Sequence, residues 1–371
     1  MRRTASIAAL ASAIALGACA YPGKSRSFVP ILERTSVEGI REGLDGTIRS
    51  NAQVIRELGQ RPDGRWLRFA VVGDTLSSYN YAFRQILAEI SKLDPIPAFI
   101  VNLGDFSAGL PKYSYYLETI RNYPHPIIHL MGNHEIAHGG EPVSKALIGD
   151  TDFSFDHGGL RFVFMGAHQR GLTDERLEWL EGKLKAGRPS NKVLLAHEFP
   201  VGPFKGLFKG LYFPFAKRRK NEDRLLELLD RYDVRLALFG HLHRFQALAH
   251  DGTVMIISGG GGQRSFLEPR AKQPLSTKQK SFTLVDILAE EGCAPQGVVT
   301  CVNRHGQPLF MNAFYEDEGR GGSHGSNGGQ GEASLRFVPY RPDDGGLEHP
   351  PYIGELYRAH QAVKAGSGVD R

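Results

Sequence analysis

The chain has 371 residues, of which 41% are hydrophobic and 23% charged. That is enough apolar material for a sizeable core and excludes wholesale disorder. Its 45 basic and 40 acidic residues leave a formal charge of +5, too mild and diffuse to imply a nucleic-acid partner. Three cysteines exclude a disulfide-dense scaffold and a four-cysteine zinc site. Beyond residue 20 no apolar run approaches the ~20 residues needed to span a bilayer.

Met1-Arg2-Arg3 is a basic start, and Thr4 to Leu16 is apolar and small, the length of a signal-peptide core and too short to cross a membrane. Leu16-Gly17-Ala18-Cys19 follows and resembles a bacterial lipobox, in which the chain is cut before the cysteine and the thiol is lipidated. An ordinary signal peptide that contains a cysteine is the alternative. The resemblance implies a lipoprotein signal peptide over residues 1–18 and lipidation of Cys19. Because Ala20 rather than Asp comes next, it also implies sorting to the outer membrane, on the periplasmic side of the bacterial cell envelope. The membrane is then a partner through the lipid anchor, each buried acyl CH2 contributing ~0.8 kcal/mol. Export means oxidising conditions. With Cys19 consumed, Cys293 and Cys301 flank a turn-forming stretch, and a structural disulfide between them is expected; two free thiols are the alternative.

Residues 19–65 read as a tether and N-terminal element. From Arg68 a unit recurs: an apolar β-rich run, a Gly-polar tip, then often an amphipathic helix. The runs are 68–72, 98–103, 127–131, 192–196, 234–239 and 253–257. Phe83, Ile86, Leu87, Ile90 and Leu93 form one helix face. Thr173 is placed to cap a second helix, with Leu172 and Leu177 as a hydrophobic staple, and Asn221 to cap a third bearing Leu225, Leu228 and Leu229. Phe153 to Met165, with Asp156-His157-Gly158-Gly159 near its centre, reads as a hairpin. Strands alternating with helices imply an α/β core over residues 66–315. Residues 316–334 are Gly-rich and polar, a flexible linker, and 335–371 form a C-terminal tail that either packs back or lies loose.

The tips carry the chemistry. They supply Asp74, Asp105, Asn133, His134, His197, His241 and His243 at what would be the carboxyl ends of strands, where open α/β folds bind ligands. Each alone reads as a turn or a satisfied core histidine; five such ends in series do not. Carboxylates, an amide oxygen and imidazoles form a mixed O/N set suited to Mn, Fe or Zn.

The ordered set Gly73-Asp74, Gly104-Asp105, Gly132-Asn133-His134-Glu135, His197 and Gly240-His241-Leu242-His243 resembles the calcineurin-like metallophosphoesterase family. The resemblance implies two mixed β-sheets packed as a sandwich flanked by helices. It implies one or two divalent metal ions per chain, with Asp105 bridging. Asn133, His197 and His241 would complete one site, and Asp74 and His243 the other. His134 would act catalytically on the leaving group. The implied reaction is hydrolysis of a phosphate-ester substrate by a metal-bound hydroxide in the cell envelope. The sequence departs from the family at Leu76, where the first motif usually has a histidine ligand. That site then needs water or another residue, Tyr79 and Asn80 being close in sequence. The departure also supports an alternative, a catalytically weak member that binds phosphorylated ligands. Residues 202–220 interleave aromatic and basic side chains and read as a substrate- or lipid-facing insertion, or as a packed one with a solvated basic face. Ser258 to Gly262 reads as a backbone that approaches the metal centre closely, or as a tight turn.

Overall fold

A computed structural model describes residues 48–61, 64, 66–76, 80–108, 110–136, 141–168, 170–186, 191–200, 219–264, 275–289, 296–316 and 335–340. In chain order the first elements are α1 (Asn51–Gly59), β1 (Trp66–Val72), α2 (Tyr81–Ile90), β2 (Ile100–Asn102), α3 (Leu110–Ile120) and β3 (Ile127–His129). Next come α4 (Asn133–Ile136), α5 (Glu141–Ile148), β4 (Phe153–His157), β5 (Leu160–Met165), α6 (Asp174–Lys185), β6 (Lys192–Ala196), α7 (Arg219–Arg231) and β7 (Val234–Phe239). The rest is β: β8 (Phe245–His250), β9 (Thr253–Ser258), β10 (Ser276–Thr277), β11 (Ser281–Leu288), β12 (Gln296–Asn303), β13 (Pro308–Glu316) and β14 (Leu335–Tyr340).

These strands form two seven-stranded mixed sheets, ordered β14-β13-β12-β11-β1-β2-β3 and β10-β8-β9-β7-β6-β5-β4. Strands β1, β2 and β3 run parallel, as do β5, β6, β7 and β9. The sandwich of two mixed sheets is the fold that the motifs implied. Period-2 alternation divides β1 between two cores. Leu67, Phe69 and Val71 face the interior between the sheets, while Ala70 and Val72 face the outer helices. Phe69, Phe99 and Phe162 fix the interior, their ring centroids 5.2 to 5.5 Å apart. Phe83, Ile86, Leu87 and Ile90 of α2 cover the first sheet's outer face together with Tyr113, Tyr116 and Leu117 of α3. Leu177, Leu180 and Leu184 of α6 and Leu225, Leu228 and Leu229 of α7 cover the second. With both faces covered, central strands read as continuous apolar runs.

Several local features match their sequence signals. The Thr173 hydroxyl accepts the Arg176 amide at 3.4 Å and caps α6. Strands β4 and β5 form the antiparallel hairpin, turned by Gly158 and Gly159 at φ 60° and 74°, the left-handed pair of a primed turn. Asn221 is not a cap. Helix α7 already starts at Arg219, and the Asn221 side chain instead donates to the Leu172 carbonyl at 2.7 Å, tying α7 to the entrance of α6.

The domain extends beyond 66–315 at both ends. Helix α1, in the stretch read as tether, has a capping box of Ser50 and Gln53 and buries Val54 and Leu58 in the inter-sheet core. Asn51 exchanges hydrogen bonds of 2.8 Å with the backbone of His129. Strand β14, in the stretch read as tail, pairs antiparallel with β13. Residues 1–47, including Cys19 and the signal segment, lie outside the described residues, as do 317–334 of the linker, 341–371 of the tail and 201–218 of the basic aromatic segment. No helix among the described residues is long and apolar enough to cross a membrane.

Cys301 is a free thiol, buried on β12 in the inter-sheet core opposite Thr283 of β11, and Cys293, its expected disulfide partner, lies outside the described residues. Burial pushes the thiol above its ordinary range.

Candidate metal centre

Six strand ends, three from each sheet, meet at one edge of the sandwich. Strands β1, β2 and β3 run into Asp74, Asp105 and Asn133. Strands β6 and β7 run into His197 and the pair His241 and His243, and β9 runs into Gly259. Asp74, Asp105, His241 and His243 all take left-handed backbone, at φ 57°, 55°, 69° and 44°. Such φ values are uncommon for non-glycine residues and gather where structure over-determines them. Neighbouring glycines leave the room: a Cβ on Gly259 would lie 2.5 Å from Asp74 Oδ2, and one on Gly132 would overlap the Asp105 carboxylate. The glycine run after β9 is thus a close approach of backbone to the site.

Two groups of ligand-type atoms result. Asp105, His197 and His241 bring one atom each within 4.8 Å of one another, and so do Asp74, Asp105 and His243, so Asp105 is common to both. Asn133 joins the first group, its Oδ1 lying 3.1 Å from His197 Nε2 and 2.8 Å from His241 Nδ1. His134 stands at the open edge, its side chain 37% exposed and Nε2 3.8 Å from Asp105 Oδ2. Every strand-end residue singled out in the sequence therefore reaches this one place.

The donor set fits divalent cations. Both carboxylate oxygens of Asp74 and Oδ2 of Asp105 are buried without a hydrogen-bond partner among the described residues. Burial, then the Asp105 charge, drives the Asp74 carboxyl well above the usual carboxylate range, with the His241 amide offsetting part. His197 Nδ1 lies 2.7 Å from the Leu103 carbonyl, which only accepts, so Nδ1 carries the proton and Nε2 presents its lone pair. That lone pair faces two further acceptors, Asn133 Oδ1 at 3.1 Å and Asp105 Oδ1 at 3.5 Å, a contact that a cation resolves. The Arg264 carbonyl, 3.0 Å from His243 Nδ1, fixes that ring likewise, leaving Nε2 toward Asp74. Burial and the neighbouring His197 push His241 down to about 3, so it is a neutral ligand.

Leu76 brings only its backbone, its amide donating to the Asp105 carbonyl at 2.8 Å. Asn80 is buried at the start of α2 beside Thr75 and Tyr116, and Tyr79 lies outside the described residues. The group with Asp74 thus offers three candidate ligands and the group with Asn133 four.

Sequence reasoning missed Glu135. Its buried carboxylate accepts the amides of Asp105 at 2.8 Å, Ser107 at 2.6 Å and Gly132 at 2.7 Å, joining the β2 and β3 tips. Its place directly after Asn133-His134 was the signal available.

Residues 67–245 match the family model described as calcineurin-like phosphoesterase. It is similar to a serine/threonine-protein phosphatase of Danio rerio, 27% identical over 201 residues, covering 48% of this chain and 64% of that protein. It is also similar to a protein of Arcobacter nitrofigilis named "probable glycerophosphodiester phosphodiesterase", 26% identical over 253 residues, covering 64% and 89%. Among solved structures, a purple acid phosphatase from yellow lupin seeds shares the fold at TM-score 0.52 and 16% identity, covering 67% of this chain and 53% of that one. The chain thus spans less than two thirds of the Danio rerio protein and about half of the lupin one.

Proposed function

We propose that the protein is a metal-dependent phosphoesterase. The observation that carries this reading is the pair of ligand groups sharing Asp105, with three buried carboxylate oxygens unpartnered between them. Asp105, Asn133, His197 and His241 would hold one ion, and Asp74, Asp105 and His243 a second. When bound, such ions supply Lewis-acid charge to a phosphoryl group and lower the pKa of a water toward ~7. The chain's own residues do the rest. The Leu103 and Arg264 carbonyls orient His197 and His243, and Glu135 holds the tips of β2 and β3 in register. His134, half open to solvent, delivers a proton to the departing alkoxide oxygen.

The test is a phosphoester panel of mono- and diesters run with Mn, Fe and Zn, with metal analysis alongside. Asp105→Asn loses metal and activity together. His134→Ala keeps its metal and loses about 10²- to 10⁴-fold in turnover, more for poor leaving groups than for good ones. Metal and phosphate binding with no hydrolysis of any ester sinks the enzymatic reading and leaves a phospho-ligand binding module.

The same reading places the enzyme in the bacterial envelope, anchored to the membrane through Cys19 with its substrate on the periplasmic side. The basic start, the short apolar run and Leu16-Gly17-Ala18-Cys19 support it. Cys19→Ser releases the protein from the membrane fraction or blocks its maturation; unchanged detergent-phase partitioning rules the anchor out.

A further inference from the structure

The side of the centre that lacks a ligand at Leu76 carries two cationic side chains and a buried amide donor. Gln263 lies against Asp74, its amide donating to the Asp74 carbonyl at 2.9 Å. Lys280, just before β11, reaches across and donates from Nζ to the Gln263 carbonyl. The side-chain Nε2 of that glutamine is buried and has no acceptor among the described residues. Arg304 is tied to Lys280 through its backbone amide, 2.8 Å from the Lys280 carbonyl. The two cations are close enough that Arg304, after burial, lowers the Lys280 pKa while Asp74 supports it. Among the described residues neither cation makes an ion pair with an acid.

Two like charges brought together from separate loops repel one another, Arg304 Nε donating to His305 Nε2 at 3.2 Å, and the buried Gln263 amide has no acceptor among the described residues. An anion is the partner that relieves both, through charge-assisted hydrogen bonds. An ammonium is only a donor, so Lys280 does not replace the missing metal ligand. We propose that Lys280, Gln263 Nε2 and Arg304 form an anion subsite flanking Asp74 that takes a phosphoryl oxygen of the substrate on the side where Leu76 withholds a ligand. This rests on the phosphoesterase reading and refines it: a monoester dianion carries one more charge than a diester and gains more from the subsite.

Calorimetry with inorganic phosphate tests it on the metal-loaded full chain. Lys280→Met weakens phosphate binding about tenfold, the loss of one charge-assisted hydrogen bond, at unchanged metal content. Lys280→Arg retains most of the affinity, and Arg304→Gln, which keeps a polar side chain, weakens it about threefold. Rising ionic strength narrows each gap. Phosphate affinity within twofold of wild type in both Lys280→Met and Arg304→Gln overturns the subsite, as does loss of metal from Lys280→Met or a wild type that binds no phosphate. A wild type that binds phosphate through Lys280 yet cleaves no ester removes the enzymatic reading alone. A wild type that cleaves esters, with both variants binding phosphate normally, removes the subsite alone. On active protein, Lys280→Met also lowers kcat/KM more for p-nitrophenyl phosphate than for bis-p-nitrophenyl phosphate.

Discussion

His134 and Glu135 are adjacent and have opposite tasks. His134 faces the solvent edge, where we propose it acts on the substrate; Glu135 is sealed beneath it and serves the backbone. Burial, then the Asp105 charge, raises the Glu135 carboxyl to about 8, and the three amides of Asp105, Ser107 and Gly132 oppose that rise. Glu135→Ala leaves three buried amides without an acceptor, at about 1 to 3 kcal/mol each before relaxation. Urea denaturation should read a loss of about 3 kcal/mol or more, with Glu135→Gln intermediate. His129 is a different residue-scale case. It is buried between Phe106 and Tyr116, ring centroids 5.8 and 5.7 Å away, with neither ring nitrogen hydrogen-bonded among the described residues. Burial holds its pKa at about 3, below the ordinary 6.5. The unfolded chain therefore takes a proton that the folded chain refuses. The penalty is absent above pH 6.5 and grows by about 1.4 kcal/mol per pH unit as pH falls toward 3. His129→Leu should flatten the acid limb of a stability–pH curve between about 6 and 4, and an unchanged slope contradicts the assignment.

At the scale of elements, the strand tips were the most legible part of the chain. A ligand-type residue at the end of an apolar run is a local pattern, and Asp74, Asp105, Asn133, His197, His241 and His243 each end or follow one. What escaped depended on contacts distant in sequence. Helix α1 is short and mixed in composition, and its place in the core shows only in contacts distant in sequence, such as Asn51 meeting His129, 78 residues away. Asn221 has a capping side chain, but its partner is the Leu172 carbonyl on a neighbouring element. The tip after β9 makes a testable case. Gly259→Ala puts a methyl group 2.5 Å from Asp74 Oδ2 and against the His243 backbone. That variant should lose the metal held by Asp74, Asp105 and His243 while keeping the one held with Asn133, read as metal content after dialysis. Loss of both metals, or of neither, is the contrary result.

For the whole molecule, unequal ligand sets predict unequal occupancy. Protein dialysed against chelator should carry nearer one metal than two, with activity rising as metal is restored, and Leu76→His should raise occupancy and flatten that dependence. Two metals per chain after dialysis would mean that another group fills the gap. The division of the ligands between sheets has a mechanical consequence. Asp74, Asp105 and Asn133 end strands of one sheet, while His197, His241 and His243 end strands of the other. An ion between them would act as a rivet through two plates otherwise joined by apolar contact and a few hydrogen bonds, such as Gly73 N to the Ser258 carbonyl at 2.7 Å and Ser258 Oγ to the Val71 carbonyl at 2.9 Å. Sliding one plate over the other would then have to break coordination as well, so ion binding would oppose shear of the whole sandwich. At a hundredfold excess over Kd that added resistance is about 2.7 kcal/mol. Stripping the ion would leave each plate's internal hydrogen bonds intact and lower the barrier to slipping.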